Sequence, residues 1–149
     1  MKLIRLTLLI ALLSPLALLA SIANFTALSG DVSIIENGKS SKASINSKID
    51  ENDKIVTGAN GKAQIKFSDS TVITLGINSD FAIEEYVNDK TKPKASFSIG
   101  KGTFKALTGK MGKINPDGFK LKTKTATIGI RGTGILGQVT PSENKVACT

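Results

Sequence analysis

The sequence predicts an all-β domain, and three observations carry that reading. In residues 62–67, Ala63, Ile65 and Phe67 alternate with Lys62, Gln64 and Lys66, the period-two pattern of a strand with one buried face. β-Prone runs of five to eight residues recur between small polar turns at short, regular spacing. No stretch beyond the N-terminal apolar run pairs helical periodicity with a cap, and the fourteen glycines suit a chain of many tight turns. From pattern alone the expected architecture is a sandwich-like stack of short, mostly antiparallel strands.

The elements follow in order. Lys2 and Arg5 precede an apolar run over residues 6–20, and Ser21-Ile22-Ala23 places small residues where a signal peptidase cuts. Residues 1–23 therefore read as a signal peptide, cleaved after Ala23, with a β domain over 24–140 and a polar tail over 141–149. The competing reading is an uncleaved inner-membrane anchor, since residues 6–30 carry no charge. Either way the domain is expected in the periplasm or outside the cell.

Val32, Ile34 and Ile35 make a strand, and Asn37-Gly38 is a hairpin signal because both residues accept positive φ. Residues 39–45 return as a polar, exposed strand. Residues 53–83 hold short strands around the polar turn Ser68-Asp69-Ser70, with Ile55, Ile65, Phe67, Val72, Leu75 and Ile83 expected in or near the core. Tyr86 and Val87 continue a strand into a charged loop closed by Pro93. Ala95, Phe97 and Ile99 alternate, Gly100-Lys101-Gly102 reads as a turn, and residues 103–107 form the next strand. Residues 108–118 read as a loop. Phe119 and Leu121 alternate with Lys120, Lys122 and Lys124, residues 125–130 are β-branched and apolar, and residues 135–140 form a last strand.

Composition narrows the chemistry. The chain of 149 residues has no histidine and one cysteine, Cys148. Histidine-dependent catalysis, histidine metal sites, an internal disulfide and a thiolate cluster are thereby excluded. No catalytic, cofactor-binding or metal-binding residue is predicted, and no cofactor. The net charge of +8 suggests anionic partners. Nucleic acid is not among them, because the protein is expected to be exported and no stacking aromatics interleave its lysines.

Several short motifs stand in one order. Gly30-Asp31-Val32 is followed by residues 53–58, Asp-Lys-Ile-Val-Thr-Gly, and 61–67, Gly-Lys-Ala-Gln-Ile-Lys-Phe. Asp69-Ser70-Thr71 with Val72 to Leu75 comes next, then Asn78-Ser79-Asp80-Phe81, Ile99-Gly100-Lys101-Gly102, Phe119 to Thr123, and residues 125–133 ending Arg131-Gly132-Thr133. Over residues 28–139 this order resembles the FecR domain, the extracytoplasmic domain of the ferric-citrate sensor family. The resemblance implies a non-enzymatic, periplasmic, all-β domain with a twisted, solenoid-like stack of short strands. It implies sensing or relay through contact with an envelope or membrane protein.

The chain departs from the family pattern in three ways. Five residues precede the apolar run where full sensors carry a cytoplasmic anti-sigma segment, so control of a sigma factor through this chain is not expected. Ser70 replaces the usual glycine of an Asp-Gly-Ser or Asp-Gly-Thr turn, a change expected to cost little if the turn is type I. The sequence stops soon after Val139, so a minimal domain with one open sheet edge is expected.

The candidate contact residues are basic. Ten lysines lie between positions 90 and 124 with Asp117 as the one acid, and Lys101, Lys105, Lys120, Lys122 and Lys124 stand out as candidate contacts to a protein partner or an anionic surface polymer, glycan or lipopolysaccharide. The plainer reading is that they solvate outer strand faces. Arg131, the single arginine beyond the N-terminal segment, suits a fixed carboxylate, either of a ligand or within the fold where it would hold two turns together. Asp53, Asp69, Asp80 and Asp117 read as turn residues, and Gly109-Lys110-Met111-Gly112 lacks the spacing of a phosphate loop.

Overall fold

The computed structural model describes residues 21–132, 134–140 and 144–148. Of the predicted signal peptide, all but Ser21, Ile22 and Ala23 lies outside these residues. The strands are β1 (Ala23–Ser29), β2 (Val32–Glu36), β3 (Lys39–Lys42), β4 (Lys48–Ile49), β5 (Lys54–Thr57), β6 (Lys62–Phe67), β7 (Val72–Leu75), β8 (Asp80–Val87), β9 (Lys94–Leu107), β10 (Phe119–Lys122), β11 (Thr127–Gly129), β12 (Gly134–Val139) and β13 (Asn144–Cys148). A short helix, α1 (Lys110–Ile114), and a 3-10 turn (Pro116–Gly118) sit between β9 and β10.

All thirteen strands belong to one sheet that curls into a half-barrel. The fold is all-β and mostly antiparallel, as expected; β9 with β10 is a parallel pair. β9 is the spine. Through residues 94–101 it pairs with β8 and β10, in a back layer that also holds β2, β3, β5 and β11. Through residues 102–107 it pairs with β7 and β12, in a front layer that also holds β1, β4, β6 and β13.

The two inner faces meet in one core. Phe67 of β6 lies 5.1 Å, centroid to centroid, from both Phe97 of β9 and Tyr86 of β8. Phe97 lies 5.4 Å from Phe81 and from Phe119. Tilted pairs at these separations add a directional attraction to the burial of large rings. Ile55, Ile65, Phe67, Leu75 and Ile83 are buried as expected. Val72 is not: Ile73 and Leu75 take the inward positions of β7, and Val72, three residues from Leu75, faces out by strand alternation.

Gly100-Lys101-Gly102 is no turn but the bend of β9. Ile99 and Phe104 are both buried although five residues apart, which strict alternation forbids. One extra residue resolves this: Phe81 pairs with Ile99 and Asp80 with Lys101, leaving Gly100 bulged out of register. Gly102 then sits at φ +106°, where a Cβ would stand 2.4 Å from the Ser79 Cα. The bend lets one strand serve both layers.

Three other expectations are corrected. Residues 108–118 contain α1 and the 3-10 turn rather than a plain loop. Within 141–149, residues 144–148 form β13 along β12, so the outer edge beside β12 belongs to β13. Ser70 has φ +72°, so the turn is not one that accepts any residue, and a serine stands where glycine is favoured. Asn37 and Gly38, at φ 49° and 80°, form the expected hairpin turn. The expected signal boundary also falls inside a strand, for Ala23 opens β1 and pairs with Ile49 and Phe67.

The turn at Ser70 is held by Asp69, whose carboxylate is buried at 2% exposure. Oδ1 accepts from the Thr71 N–H (3.1 Å) and the Tyr86 hydroxyl (3.0 Å); Oδ2 accepts from the Thr71 hydroxyl (2.7 Å) and the Met111 N–H (3.2 Å). The Thr71 Oγ1 in turn accepts from the Gly109 N–H at 3.0 Å, and the Asp69 carbonyl accepts from the Lys110 N–H at 2.9 Å. A buried charge is tolerated when its lone pairs are filled in this way. A second knot, at the bend, has the Thr57 hydroxyl donating to the Gly76 carbonyl (2.6 Å) and accepting from the Ser79 N–H (2.8 Å), while the Ser79 hydroxyl donates to the Thr103 carbonyl (3.1 Å).

Gly102→Ala should lower stability by roughly 2 kcal/mol or more, because it adds both a positive-φ penalty and a backbone clash; an unchanged urea midpoint would rule out this account of the bend. Ser70→Gly should raise stability, by up to about 1 kcal/mol, as the left-handed strain on a residue with a side chain is relieved. The same denaturation curve checks it. Burial, with the nearby Asp69 charge, pushes the Tyr86 hydroxyl up to about 12. The unfolded tyrosine ionises near pH 10, so between about pH 10 and 12 the folded state keeps a proton that the unfolded state releases. The stabilisation is complete below pH 10 and is lost as pH rises towards 12. Tyr86 is the one tyrosine and there is no tryptophan, so tyrosinate absorbance follows it directly; a midpoint near 10 in the folded protein would contradict the buried hydrogen-bonded hydroxyl.

Candidate functional site

The predicted contact residues lie on different surfaces. Lys105 projects from the outer face of the front layer, between Thr74 of β7 and Leu136 of β12. Lys101 lies at the bend opposite Asp80, whose carboxylate is 2.9 Å from the Lys54 Nζ. Lys120 and Lys122 stand on the outer face of the back layer, alternating with the buried Phe119 and Leu121. Lys124 is exposed between β10 and β11. The linear lysine window is therefore divided between the two layers by the bend of β9.

The pairing of β8 with β9 brings in acids that are distant in sequence. The Glu84 Oε2 lies 2.7 Å from the Lys122 Nζ and accepts from the Ser96 hydroxyl at 3.1 Å. The Lys122 hydrogen bond, chiefly, holds the Glu84 carboxyl below its ordinary range, against some desolvation. Glu85 pairs with Ser96, directly across from Lys120. Arg131 reaches Asp117 in the 3-10 turn, Nη2 to Oδ1 at 2.8 Å, with both side chains 77% exposed. An ion pair so open to water contributes little to stability. It leaves the guanidinium accessible and its fork only partly used.

These groups border an open polar groove of about 300 Å³, lined by Lys94, Ser96, Lys120 and Lys122 with Glu85, Asn115, Asp117 and Gly118. Its charges are mixed. Lys122 is taken by Glu84 and Asp117 by Arg131, while Lys94, Lys120 and Glu85 share the same lining. Such a groove suits a polar segment of a protein better than a multiply charged anion, whose charges would need several uncompensated lysines.

The four turn aspartates have separate fates. Asp69 is consumed by the buried knot, and Asp53 accepts from the Asp50 N–H at 2.8 Å while burial raises its pKa. Asp80 and Asp117 hold Lys54 and Arg131. Among the described residues no three His, Cys, Asp or Glu side chains cluster as a metal site. Cys148 is an exposed thiol at the end of β13. What sequence spacing missed was Glu84 and Glu85; their signal was the strand alternation of 80–87, broken by a bulge between Ile83 and Glu85.

A protein-family model described as FecR protein matches residues 53–149. Neither a curated protein nor a solved structure matches the chain. The match takes in β5 to β13, with the Asp69 knot, the β9 bend and the Arg131 segment, and leaves β1 to β4 and the Gly30-Asp31-Val32 motif ahead of it. It covers well over half of the sequence, and the chain belongs to the FecR protein family.

Proposed function

We propose that this protein is an exported FecR-domain module of the cell envelope that acts without catalysis, holding or relaying contacts between envelope proteins. The family match over residues 53–149 carries the reading. The chemistry of the buried polar groups supports it: the interior carboxylate of Asp69 and the hydroxyls of Thr57, Thr71 and Ser79 are spent on hydrogen bonds that fix turns. Groups tied down in this way position strands rather than act on a substrate.

The contact surface in this reading is the β13 edge. Among the described residues β13 pairs with β12 alone, so its other edge offers backbone donors and acceptors for strand addition. Val146 is 36% exposed there. Another edge strand, β3, carries Lys39 and Lys42, charges that discourage such pairing. The lysines of 90–124 do not share one face, which weakens an anionic-glycan reading based on that window.

A photo-crosslinking residue at Val146, in cells making the full chain, should yield one discrete adduct with an envelope protein, while the same residue at Lys39 should yield none. No adduct at either edge would count heavily against the relay reading.

A further inference from the structure

The outer face of the front layer carries charge of a single sign. β1, β4, β6, β7, the 102–107 half of β9, β12 and β13 contain lysines and not one Asp or Glu. The strand acids, Glu36, Asp80, Glu84 and Glu85, all belong to β2 and β8 of the back layer. Register places the front lysines on one surface. Lys48 and Lys66 flank Asn24; Lys62 lies beside Ser29; Lys105 lies beyond Thr74, which itself pairs with Gln64. All four are exposed, and none has an ion pair among the described residues. Neighbouring strands are about 4.8 Å apart and alternate residues about 7 Å, so these ammonium groups tile a surface at spacings of roughly 10–15 Å.

Two leucines stand among them. Leu107 is 40% exposed and Leu136 is 51% exposed; Lys105 lies between them, with Leu136 its cross-strand neighbour. Lysines over a flat surface with protruding leucines match an interface that is anionic outside and apolar just beneath. An acidic protein would account for the lysines and not for the leucines.

We infer that the outer face of the front layer lies flat on an anionic phospholipid bilayer, with Lys48, Lys62, Lys66 and Lys105 on headgroup phosphates and Leu107 and Leu136 dipping below them. This orientation goes beyond the relay reading. It directs the mixed-charge groove and the back layer away from the lipid.

The test is lysine footprinting on the full chain. Acetylation rates are read by mass spectrometry with vesicles of phosphatidylglycerol and phosphatidylethanolamine, and with neutral phosphatidylcholine vesicles. The protein is the same in both arms, so the difference reports headgroup charge. Lys48, Lys62, Lys66 and Lys105 should react at least about threefold more slowly on anionic vesicles, an effect that fades with added salt, while Lys39, Lys90 and Lys120 stay unchanged. The variant L107S/L136S, in which both side chains are only about half buried, should still melt cooperatively and should lose most of the protection on vesicles. Uniform protection, or none, overturns the inference. So does equal protection of the four lysines by polyglutamate that survives in L107S/L136S, which would make the face one for acidic polymers.

Discussion

The structure depends on a carboxylate held out of water. Asp69 stands in a turn between two front strands, yet its four hydrogen bonds run to three parts of the chain: Thr71 in the turn itself, Tyr86 on β8 of the back layer, and the Met111 N–H at the start of α1. A carboxylate stripped of water is costly unless each lone pair finds a donor, so the three partners cannot be moved independently. This converts a local turn into a joint between layers. It also explains why α1 exists with no helical periodicity in its sequence. Its first N–H groups are bound from outside, Lys110 by the Asp69 carbonyl and Met111 by the carboxylate, and Met111 is buried.

A second joint closes the other end of the core, and it is made of glycines and hydroxyls. Gly76, Gly102, Thr57, Ser79 and Thr103 meet where β9 changes layer. A Cβ on Gly76 would come within 2.0 Å of the Thr103 Oγ1, so the backbones approach as closely as the bend requires. Between these joints lie the rings of Phe67, Tyr86, Phe97, Phe81 and Phe119, packed at centroid distances of 5.1–5.4 Å. Ring packing drives the layers together without specifying their register; the two joints supply the register.

This division sets what could be read from the sequence. Alternation is local, so strands such as β6 and β10, and most of the core, were legible residue by residue. Phase breaks were legible only in hindsight. Ile99 and Phe104 are both apolar in a β-prone run, but their odd separation signals a bulge only if both are known to face inward. Gly100-Lys101-Gly102 has the composition of a turn, and nothing local says that the strand continues through it. Val72 faces out for a related reason: two consecutive β-prone apolar residues, Val72 and Ile73, leave the inward phase undecided until Ile73 pairs with Ile65. Ser70 shows a third limit, since φ depends on which turn the hydrogen bonds select.

Charge was the least legible property, because sequence neighbours and spatial neighbours differ most in a sheet. A window of ten lysines looked like one basic patch. The spine strand carries Lys101 and Lys105 to opposite layers, and β8 lays Glu84 and Glu85 against the lysines of β10. Meanwhile Lys48, Lys62 and Lys66, unremarkable in sequence among Asp50, Glu51 and Asp53, emerge on a layer whose strands hold no acid. The fold thus gathers every strand acid on the back layer, among its lysines, and leaves the front strands with lysines alone. Within about one Debye length of the surface, the field that a neighbour meets depends on that sorting more than on the total charge. An orienting field therefore arises from strand order alone, without a binding pocket. It leaves the mixed-charge groove, on the back layer, turned away from whatever the front layer meets.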